Sequence, residues 1–365
     1  SFCLVYIFDF FWLNKKQYIK WIGTLFIVLL LFAPSSYGLI SKYYTISLNQ
    51  ANGSGPGYHL LWQQAGKWTR ENTQENAIFA HWWDYGYWVQ SGFERATITD
   101  GGNFIGWWNY LVARDVLTTD DPEKALKFLY AHNANYLLAV ADDIGKYPAY
   151  SLIGSDENYD RLSSITTFSL DLQNSQETRN GTMLVYRGGA ALDENLVYNE
   201  VLYPAGSAGI AEFFLPLSTE NGQTRILQPT AVIVYNSQQI NVPINCLYIE
   251  NQKLIFENGL NACIAIIPIL NPDSTNKFGA LLYLSNKVSK SLFSRMYIGG
   301  ETISGFKLVY DSEGQVPLGI YNGGLNGPIR IWEIDYPPNI TLTDEEKQYY
   351  LQENYLDVKL TELRK

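Results

Sequence analysis

Two apolar stretches separated by a short basic break open the chain. The second stretch, residues 19–40, has one charge, Lys20, at its edge. About 20 mostly apolar residues span a bilayer, so this pattern predicts a membrane segment over residues 1–40, with its last transmembrane helix at about 18–40. A cleaved signal peptide is the alternative, although the apolar stretch before Lys15 does not suit one.

The lysines of the break lie on the N-terminal side of the predicted helix. Positive charge tends to stay on the cytoplasmic side of a membrane, so the chain after about residue 40 is expected to be extracytoplasmic. The sequence begins without Met and inside an apolar segment, and we therefore expect it to be the C-terminal region of a longer protein. Residues 44–57 are polar and contain several glycines, which predicts a linker.

Beyond this linker, strand-like and helix-like patterns alternate. Residues 76–80 form a short apolar run typical of a buried strand, and residues 135–140 form another. Between them, Pro122 follows a polar cluster and precedes apolar residues at helical spacing, so a helix is predicted to begin there. The order strand, helix, strand indicates a mixed α/β unit, which two later runs, 305–310 and 328–334, are expected to complete.

A different pattern fills the middle of the chain. Short alternating or apolar runs separated by Gly, Asn and Gln recur between residues 182 and 268, which predicts an antiparallel sheet or a small closed sheet. We therefore predict a β-rich insertion at residues 181–285 within a core domain formed by residues 41–180 and 286–340. The resulting fold class is mixed α/β (α+β): an extracytoplasmic globular domain with an all-β insertion, preceded by a transmembrane helix.

Two further segments have helical patterns. Residues 280–298 place apolar side chains at helical spacing, which predicts a helix there. Residues 341–365 are charged and helix-prone after Thr343, a candidate N-cap, and they predict a C-terminal helical tail.

Composition narrows the range of functions. The chain has 365 residues and a net charge of −10, which argues against a nucleic-acid-binding protein, since such a protein would present a basic face. Three cysteines are too few for a disulfide framework, and Cys246 and Cys263 either pair or remain two buried thiols. No Cys-x-x-Cys or His-x-x-x-His spacing occurs, so a structural zinc site is not predicted.

The stretch from His81 to Trp88 combines five aromatic side chains with a single carboxylate. An indole offers one N–H donor, and an ionised aspartate offers only acceptors. Two indoles beside one carboxylate can therefore bind a hydroxyl, which gives and receives hydrogen bonds at once. Core packing is the alternative interpretation of a tryptophan pair, because tryptophan is highly buried on average.

The segment Trp-Trp-Asp-Tyr-Gly at residues 82–86 resembles the signature of the catalytic subunit of oligosaccharyltransferase, the membrane enzyme of asparagine-linked glycosylation. The segments DGGN at residues 100–103 and DIGK at residues 143–146 look like the globular domain of the same family, in matching order. The resemblance indicates an archaeal or bacterial type of subunit. It also implies a role for each of the five residues of the Trp-Trp-Asp-Tyr-Gly segment.

In that family the Trp-Trp-Asp part contacts the Ser or Thr two residues after the acceptor Asn, and the resemblance assigns this role to Trp82, Trp83 and Asp84. Tyr85 and Gly86 are expected to be structural, with Gly86 freeing the backbone to turn.

A second family motif is expected on the helix predicted at residues 280–298. One version reads Asp-x-x-Lys-x-x-x-Met or Ile, and the best register found in this helix runs from Lys287 to Ser294, with Lys290 at the lysine position. The resemblance therefore suggests Lys290 as a pocket residue. Two lysines on the solvated face of a helix are the alternative.

The implied activity is transfer of a lipid-linked oligosaccharide to the Asn of an acceptor polypeptide containing Asn-x-Ser/Thr, at a membrane and without nucleic acid. The resemblance implies Mn²⁺ or Mg²⁺ as cofactor, which would stabilise the leaving phosphate. The catalytic carboxylates and metal ligands are expected in transmembrane loops outside this sequence. No catalytic residue and no metal ligand is assigned within it.

Two other classes of function stay open. A non-catalytic membrane-anchored surface or carbohydrate-binding protein would also explain the many aromatic residues and the β-rich insertion. A secreted hydrolase would need a pair of carboxylates, and none is located. Three Asn-x-Ser/Thr triplets, at Asn52, Asn180 and Asn339, fit an external location, although such triplets also arise by chance.

Overall fold

The computed structural model of the chain describes residues 2–32, 38–54, 57–178, 181–220, 223–250 and 252–353. Two compact units are present, Ser1–Leu60 and Leu61–Lys365. The first unit is helical, and the second contains every strand among the described residues.

The described residues of the first unit form three helices, α1 Phe2–Trp12, α2 Gln17–Phe32 and α3 Leu39–Ser54. Of the helices in the described part of the chain, none combines the length and the apolar character needed to cross a membrane. The transmembrane helix predicted at about 18–40 is therefore not found as one element, since α2 ends at Phe32 and residues 33–37 lie outside the described ranges.

The linker predicted at residues 44–57 is wrong over most of its length, because α3 continues to Ser54. The glycines of this stretch are confined to residues 53–57, where the helix ends. The residues before them contain neither Gly nor Pro, so nothing in the local sequence breaks the helix earlier.

Seven further α-helices and nineteen strands follow among the residues that the structure describes. The helices are α4 Leu60–Asn72, α5 Gly86–Trp88, α6 Gly106–Leu111, α7 Pro122–Ala131, α8 Asp142–Ile153, α9 Asn286–Lys290 and α10 Asp344–Leu351. The strands are β1 Ile78–Ala80, β2 Ala96–Thr97, β3 Tyr136–Val140, β4 Thr166–Leu170, β5 Gln176–Thr178, β6 Gly181–Ala191, β7 Leu196–Tyr198, β8 Val201–Tyr203, β9 Gly209–Glu220, β10 Gln223–Ile226, β11 Thr230–Tyr235, β12 Gln238–Ile249, β13 Gln252–Ile255, β14 Leu260–Asn271, β15 Ser274–Leu284, β16 Phe306–Asp311, β17 Gly319–Tyr321, β18 Gly324–Asn326 and β19 Ile329–Ile334.

The smaller of the two main sheets has the strand order β16-β19-β3-β1-β2. Strand β1 is parallel to both of its neighbours, β2 and β3, whereas β19 is antiparallel to β3. Helix α7 begins at Pro122, and the Asp121 side chain caps it by accepting a hydrogen bond from the Glu123 backbone N–H. The predicted order of strand, helix and strand is thus confirmed by β1, α7 and β3, and the two late strands complete the sheet as β16 and β19.

The larger sheet contains twelve strands, and the pairing of β12 with β14 closes it on itself. Its interior is filled by large apolar side chains, among them Phe168, Tyr186 and Phe213. The β-rich character predicted for the middle of the chain is confirmed. The same sheet also includes β4 before residue 181 and β17 and β18 after residue 285, so it extends beyond both predicted borders of the insertion.

The helix predicted at residues 280–298 is wrong in its first part. Residues up to Leu284 belong to β15, which pairs with β4 at one edge and with β14 at the other and is buried at six consecutive positions. A strand buried on both faces is a continuous apolar run, and periodicity alone does not separate it from a helix. Among the described residues of this stretch, the helical ones are α9, Leu292 and Phe293, and the turn of π-helix Ser294–Ile298 that follows them.

Cys246 and Cys263 form a disulfide. They are register partners on the parallel strands β12 and β14, with their Cα atoms 4.4 Å apart. Of the two alternatives that the sequence leaves open, pairing is therefore the one found.

The C-terminal helix α10 begins as predicted at Thr343, whose side chain forms a reciprocal capping box with Glu346. The helix is packed on the domain rather than free, because Tyr350 is buried and Lys127 forms an ion pair of 2.9 Å with Glu346. Residues 354–365, the rest of the predicted tail, lie outside the described ranges.

Candidate functional site

The Trp-Trp-Asp-Tyr-Gly segment follows directly after β1, where the chain leaves the smaller sheet. Residues Trp83–Tyr85 form a turn of 3₁₀-helix, and α5 continues it. Trp82 is 2% exposed, whereas Trp83 and Asp84 are half-buried. The segment thus presents one indole and one carboxylate at the surface, with a second indole packed behind them.

Helix α8 begins two residues after the end of β3, the parallel neighbour of β1. The carboxyl ends of parallel strands meet at the same edge of a sheet, where binding sites are commonly found. This arrangement brings the DIGK segment at the start of α8 against the Trp-Trp-Asp-Tyr-Gly segment, although some sixty residues separate them in the sequence.

Lys146 is the residue that joins the two segments. Its Nζ atom lies 2.7 Å from the Asp84 carboxylate and 3.2 Å from the Asp142 carboxylate. It also donates to the Tyr85 hydroxyl at 3.1 Å and lies 4.5 Å from the centre of the Tyr85 ring. Burial alone would lower the pKa of Lys146, but the hydrogen bond to Asp84 and the charge of Asp142 raise it, so the ammonium stays charged.

Tyr85 is the support beneath this lysine. It is 2% exposed and stacks on Trp62, with 5.4 Å between the ring centroids. Burial and the nearby carboxylates of Asp143 and Asp142 raise the pKa of its hydroxyl, so Tyr85 remains neutral. The Tyr85 ring thus contacts the ammonium that forms the ion pair with Asp84, while the structural role of Tyr85 stays a prediction.

A layer of aromatic rings lies behind the tryptophans. Trp82 packs against Trp83 at 5.9 Å and against Tyr150 of α8 at 5.5 Å. Tyr150 in turn contacts Phe293, with 6.2 Å between the ring centroids. The region around residue 293 therefore reaches the tryptophans through an aromatic side chain rather than through a lysine.

Gly86 has φ of −54° and ψ of −48°, an ordinary right-handed helical conformation. The expectation that this glycine frees the backbone to turn is therefore wrong in its reason. A Cβ atom at this position would lie 2.5 Å from the Cα of Asp100 and 2.8 Å from the carbonyl oxygen of Thr99. Glycine is needed because the DGGN loop approaches the backbone here.

Lys290, the predicted pocket lysine, is exposed at the end of α9. It lines an open polar cleft beside the disulfide, together with Lys253, Arg295 and Glu301, and this cleft includes none of residues 82–84. Lys290 therefore lies on a surface other than that of residues 82–84.

The spacing Asp-x-x-Lys also occurs at Asp143 and Lys146, with Tyr150 at the position of the apolar residue. All three residues of this register lie at the site. Lys146 forms the ion pair with Asp84, and Tyr150 packs against Trp82. Asp143 forms a hydrogen bond with the Tyr85 hydroxyl. The signal was present in the sequence as the DIGK segment. This segment lies outside residues 280–298, the predicted helix on which the motif is expected from the sequence.

Asp143 lies under the site and is 1% exposed. Its Oδ2 atom accepts a hydrogen bond of 3.0 Å from the backbone N–H of Val140. Burial raises the pKa of Asp143 to about 7, against the opposing influence of that N–H, of Lys146 and of Tyr85. The carboxyl is thus half-protonated near neutral pH.

This raised pKa predicts a pH-dependent stability that Asp143→Asn removes. Between about pH 4 and pH 7 the folded state binds more protons at Asp143 than the unfolded state, so its contribution to stability falls as pH rises through this range. Buried His81 and His132, whose pKa values are lowered to about 4 by burial, give the opposite slope below pH 6.5. The histidines are the same in both proteins, so the difference in unfolding free energy between the variant and the wild type reports the contribution of Asp143 alone.

The free energy of urea unfolding of Asp143→Asn, minus that of the wild type, should increase by roughly 1–3 kcal/mol from pH 5 to pH 8, since each unit of pKa shift corresponds to about 1.4 kcal/mol. A difference that is constant with pH would contradict the raised pKa. Glu194→Gln, a substitution of an acid outside this site, provides the control for a change of net charge.

The carboxylates of the site do not fit a divalent cation. Asp84 and Asp142 both bind the Lys146 ammonium, and a metal ion would have to displace that positive charge. In the described part of the chain no group of three His, Cys, Asp or Glu side chains converges as a metal site would require. The ligands of the Mn²⁺ or Mg²⁺ implied by the resemblance stay a prediction.

Comparison with known proteins gives one match to a family. Residues 75–182 match the family model described as the STT3/PglB/AglB core domain. This range contains the Trp-Trp-Asp-Tyr-Gly, DGGN and DIGK segments. The resemblance predicted from those segments is thereby confirmed.

Two relatives come from archaea of the genus Pyrococcus. The chain is 30% identical over 135 residues to dolichyl-phosphooligosaccharide-protein glycotransferase 1 of Pyrococcus furiosus, covering 36% of this chain and 13% of that protein. It is 22% identical over 270 residues to glycotransferase 2 of Pyrococcus horikoshii, covering 68% of this chain and 34% of that protein. The chain thus spans about a third or less of the length of these relatives.

Among solved structures, a similar one is the crystal structure of the Archaeoglobus fulgidus oligosaccharyltransferase tethered to an acceptor peptide that contains the NVT sequon. The TM-score is 0.43 and the identity 12%, over 91% of this chain and 39% of that chain.

Proposed function

We propose that this chain, which contains an STT3/PglB/AglB core domain at residues 75–182, reads the hydroxyl of the Ser or Thr in Asn-x-Ser/Thr for an oligosaccharyltransferase. The observation that carries the proposal is the Asp84 carboxylate, held 2.7 Å from Lys146 and 23% exposed beside Trp83. A charged acceptor is thereby fixed at the surface next to an N–H donor and an apolar ring.

The chemistry of a hydroxyl suits this arrangement. The substrate hydroxyl would donate to Asp84 and accept from an indole N–H or from the Lys146 ammonium. The methyl group of a Thr would pack on the tryptophan face. Trp82, 2% exposed, would act mainly by fixing Trp83 from behind, so we assign the direct contacts to Trp83 and Asp84.

The proposed site would select Ser or Thr because a substrate without the hydroxyl leaves polar groups of the site without a hydrogen-bond partner. When the substrate has Ala in place of Thr, Asp84 and its donor neighbours lose their partner in a partly shielded place. Sites built to hydrogen-bond a hydroxyl reject analogues that lack it much more strongly than apolar pockets do.

The wider activity of the protein is part of the same proposal. The relatives named above are glycotransferases, so we propose an enzyme that transfers a lipid-linked oligosaccharide to the Asn of an acceptor polypeptide at a membrane, with Mn²⁺ or Mg²⁺. An extracytoplasmic position of the globular domain is supported by the Cys246–Cys263 disulfide, because disulfides persist in oxidising compartments.

The test is glycan transfer to two short peptides, Asn-x-Thr and Asn-x-Ala, by membranes that carry the native protein and a lipid-linked donor. We expect transfer to the Thr peptide and at least a 100-fold lower rate with the Ala peptide. Equal transfer to both would contradict hydroxyl recognition. Transfer to neither, with donor shown to be present, would favour the non-catalytic carbohydrate-binding alternative.

The same assay distinguishes the two lysines. Lys146→Gln should lower kcat/KM for the Thr peptide about 10-fold, the effect of losing about 1.4 kcal/mol, because Asp84 loses the cation that holds it. Lys290→Gln, a change of the same kind at an exposed position, should leave the rate within about twofold. An effect of Lys290 as large as that of Lys146 would contradict the assignment.

A further inference from the structure

The loop between β19 and α10 carries the triplet Asn339-Ile340-Thr341. The loop is fixed on both sides of the triplet. Before it, the Tyr336 hydroxyl donates a hydrogen bond of 2.6 Å to the carbonyl oxygen of Ala134. After it, Thr343 caps α10. The triplet therefore lies in a short loop segment that is held at both ends, by Tyr336 and by Thr343.

Asn339 lies at the corner of a β-turn, in which the Pro337 carbonyl accepts a hydrogen bond of 3.0 Å from the Ile340 N–H. Proline is favoured at the first corner position, which Pro338 occupies here. Asn339 and Thr341 are both exposed, and among the residues that the structure describes neither side chain has a hydrogen-bond partner. Modifying Asn339 would therefore break no interaction seen in the fold.

We propose that Asn339 is a glycan attachment site and that it is modified by the activity proposed above, so the protein carries its own acceptor. This inference rests on the proposed function. The hydroxyl that the site of another copy would read is that of Thr341. Opening the presenting loop costs little, because its middle is held by one turn hydrogen bond and exposes both side chains.

The reaction balances without any further reagent. A bond forms between the side-chain amide nitrogen of Asn339 and the anomeric carbon of the lipid-linked oligosaccharide. The bond between that carbon and the phosphate oxygen breaks, and the lipid phosphate leaves with the electron pair. The amide gives up one proton to a base of the catalytic centre.

The other two triplets differ from this one in their setting. Asn52 lies in α3. Side chains two residues apart on a helix do not face the same side, so a helical triplet cannot present its Asn and its hydroxyl together. Asn180 lies outside the described residues.

The test is mass spectrometry of the full protein isolated from its native membranes. Trypsin releases the peptide Ile331–Lys347, in which Asn339 is the one asparagine. We expect this peptide to carry a glycan in the wild type, to lose it at least 10-fold in Thr341→Ala and to keep it in Thr341→Ser, which restores only the hydroxyl. Asn52→Gln should leave the modification of Asn339 unchanged.

An Asn-x-Thr reporter peptide in the same membranes separates the two proposals. If the reporter is modified and Ile331–Lys347 is not, the inference is overturned and the proposed function stands. If neither is modified in the presence of donor, both fall. Modification of Asn339 at the wild-type level in an Asp84→Ala protein that no longer modifies the reporter would assign it to another enzyme and overturn the inference.

Discussion

Replacing Asp84 by alanine is expected to reduce glycan transfer to an Asn-x-Thr peptide about 5- to 150-fold. The substitution removes the acceptor for the substrate hydroxyl and leaves the donors around it unpaired. Losing one partner of a shielded hydrogen bond costs about 1–3 kcal/mol, which corresponds to this range of rates. The measurement is kcat/KM for peptide transfer in native membranes, with the amount of folded protein determined beside it.

Asp142→Ala is the matched control for this substitution. Asp142 also binds Lys146, at 3.2 Å, but its side chain is 72% exposed and it lies outside the Trp-Trp-Asp segment. Exposed ion pairs contribute little, so transfer should stay within about twofold of the wild type. Equal losses from both substitutions would mean that Asp84 acts only by holding Lys146. No loss from Asp84→Ala would exclude it from recognition.

The second large effect is expected for Gly86→Ala, which should both destabilise the domain and lower transfer. The new Cβ would lie 2.4 Å from the Cβ and 2.5 Å from the Cα of Asp100, so the backbone of one segment must move. Overpacking of this kind costs typically about 1–3 kcal/mol. Since Gly86 directly follows the turn that contains Asp84, the movement should also displace the carboxylate, and we expect at least a 10-fold loss of transfer.

Gly145→Ala provides the control within the same site. Gly145 lies in α8 beside Lys146, and a Cβ there meets nothing within 4 Å. Alanine stabilises a helix relative to glycine by roughly 0.5–1 kcal/mol, so the Tm should rise slightly with transfer unchanged. The Tm of Gly86→Ala should instead fall by several degrees. An unchanged Tm and rate for Gly86→Ala would contradict the close approach of the DGGN loop.

The local sequence pattern was sufficient to predict those helices and strands whose formation depends on neighbouring residues. The helix start at Pro122, the cap Thr343 and the short strands of the smaller sheet were predictable, because a cap or a strand depends on a few adjacent residues. The helical pattern at residues 280–298 failed because burial of β15 on both faces erased the alternation that marks a strand.

The sequence by itself placed two indoles and one carboxylate in adjacent positions, and these groups are the basis of the proposed hydroxyl binding. Which lysine holds Asp84 was decided only by the tertiary structure. Lys146 and Lys290 both lie far from Asp84 along the sequence, and the parallel pairing of β1 with β3 is what brings Lys146 within 2.7 Å. The requirement for glycine at position 86 has the same origin, because it depends on how closely a loop from another part of the chain approaches, and no local pattern contains that distance.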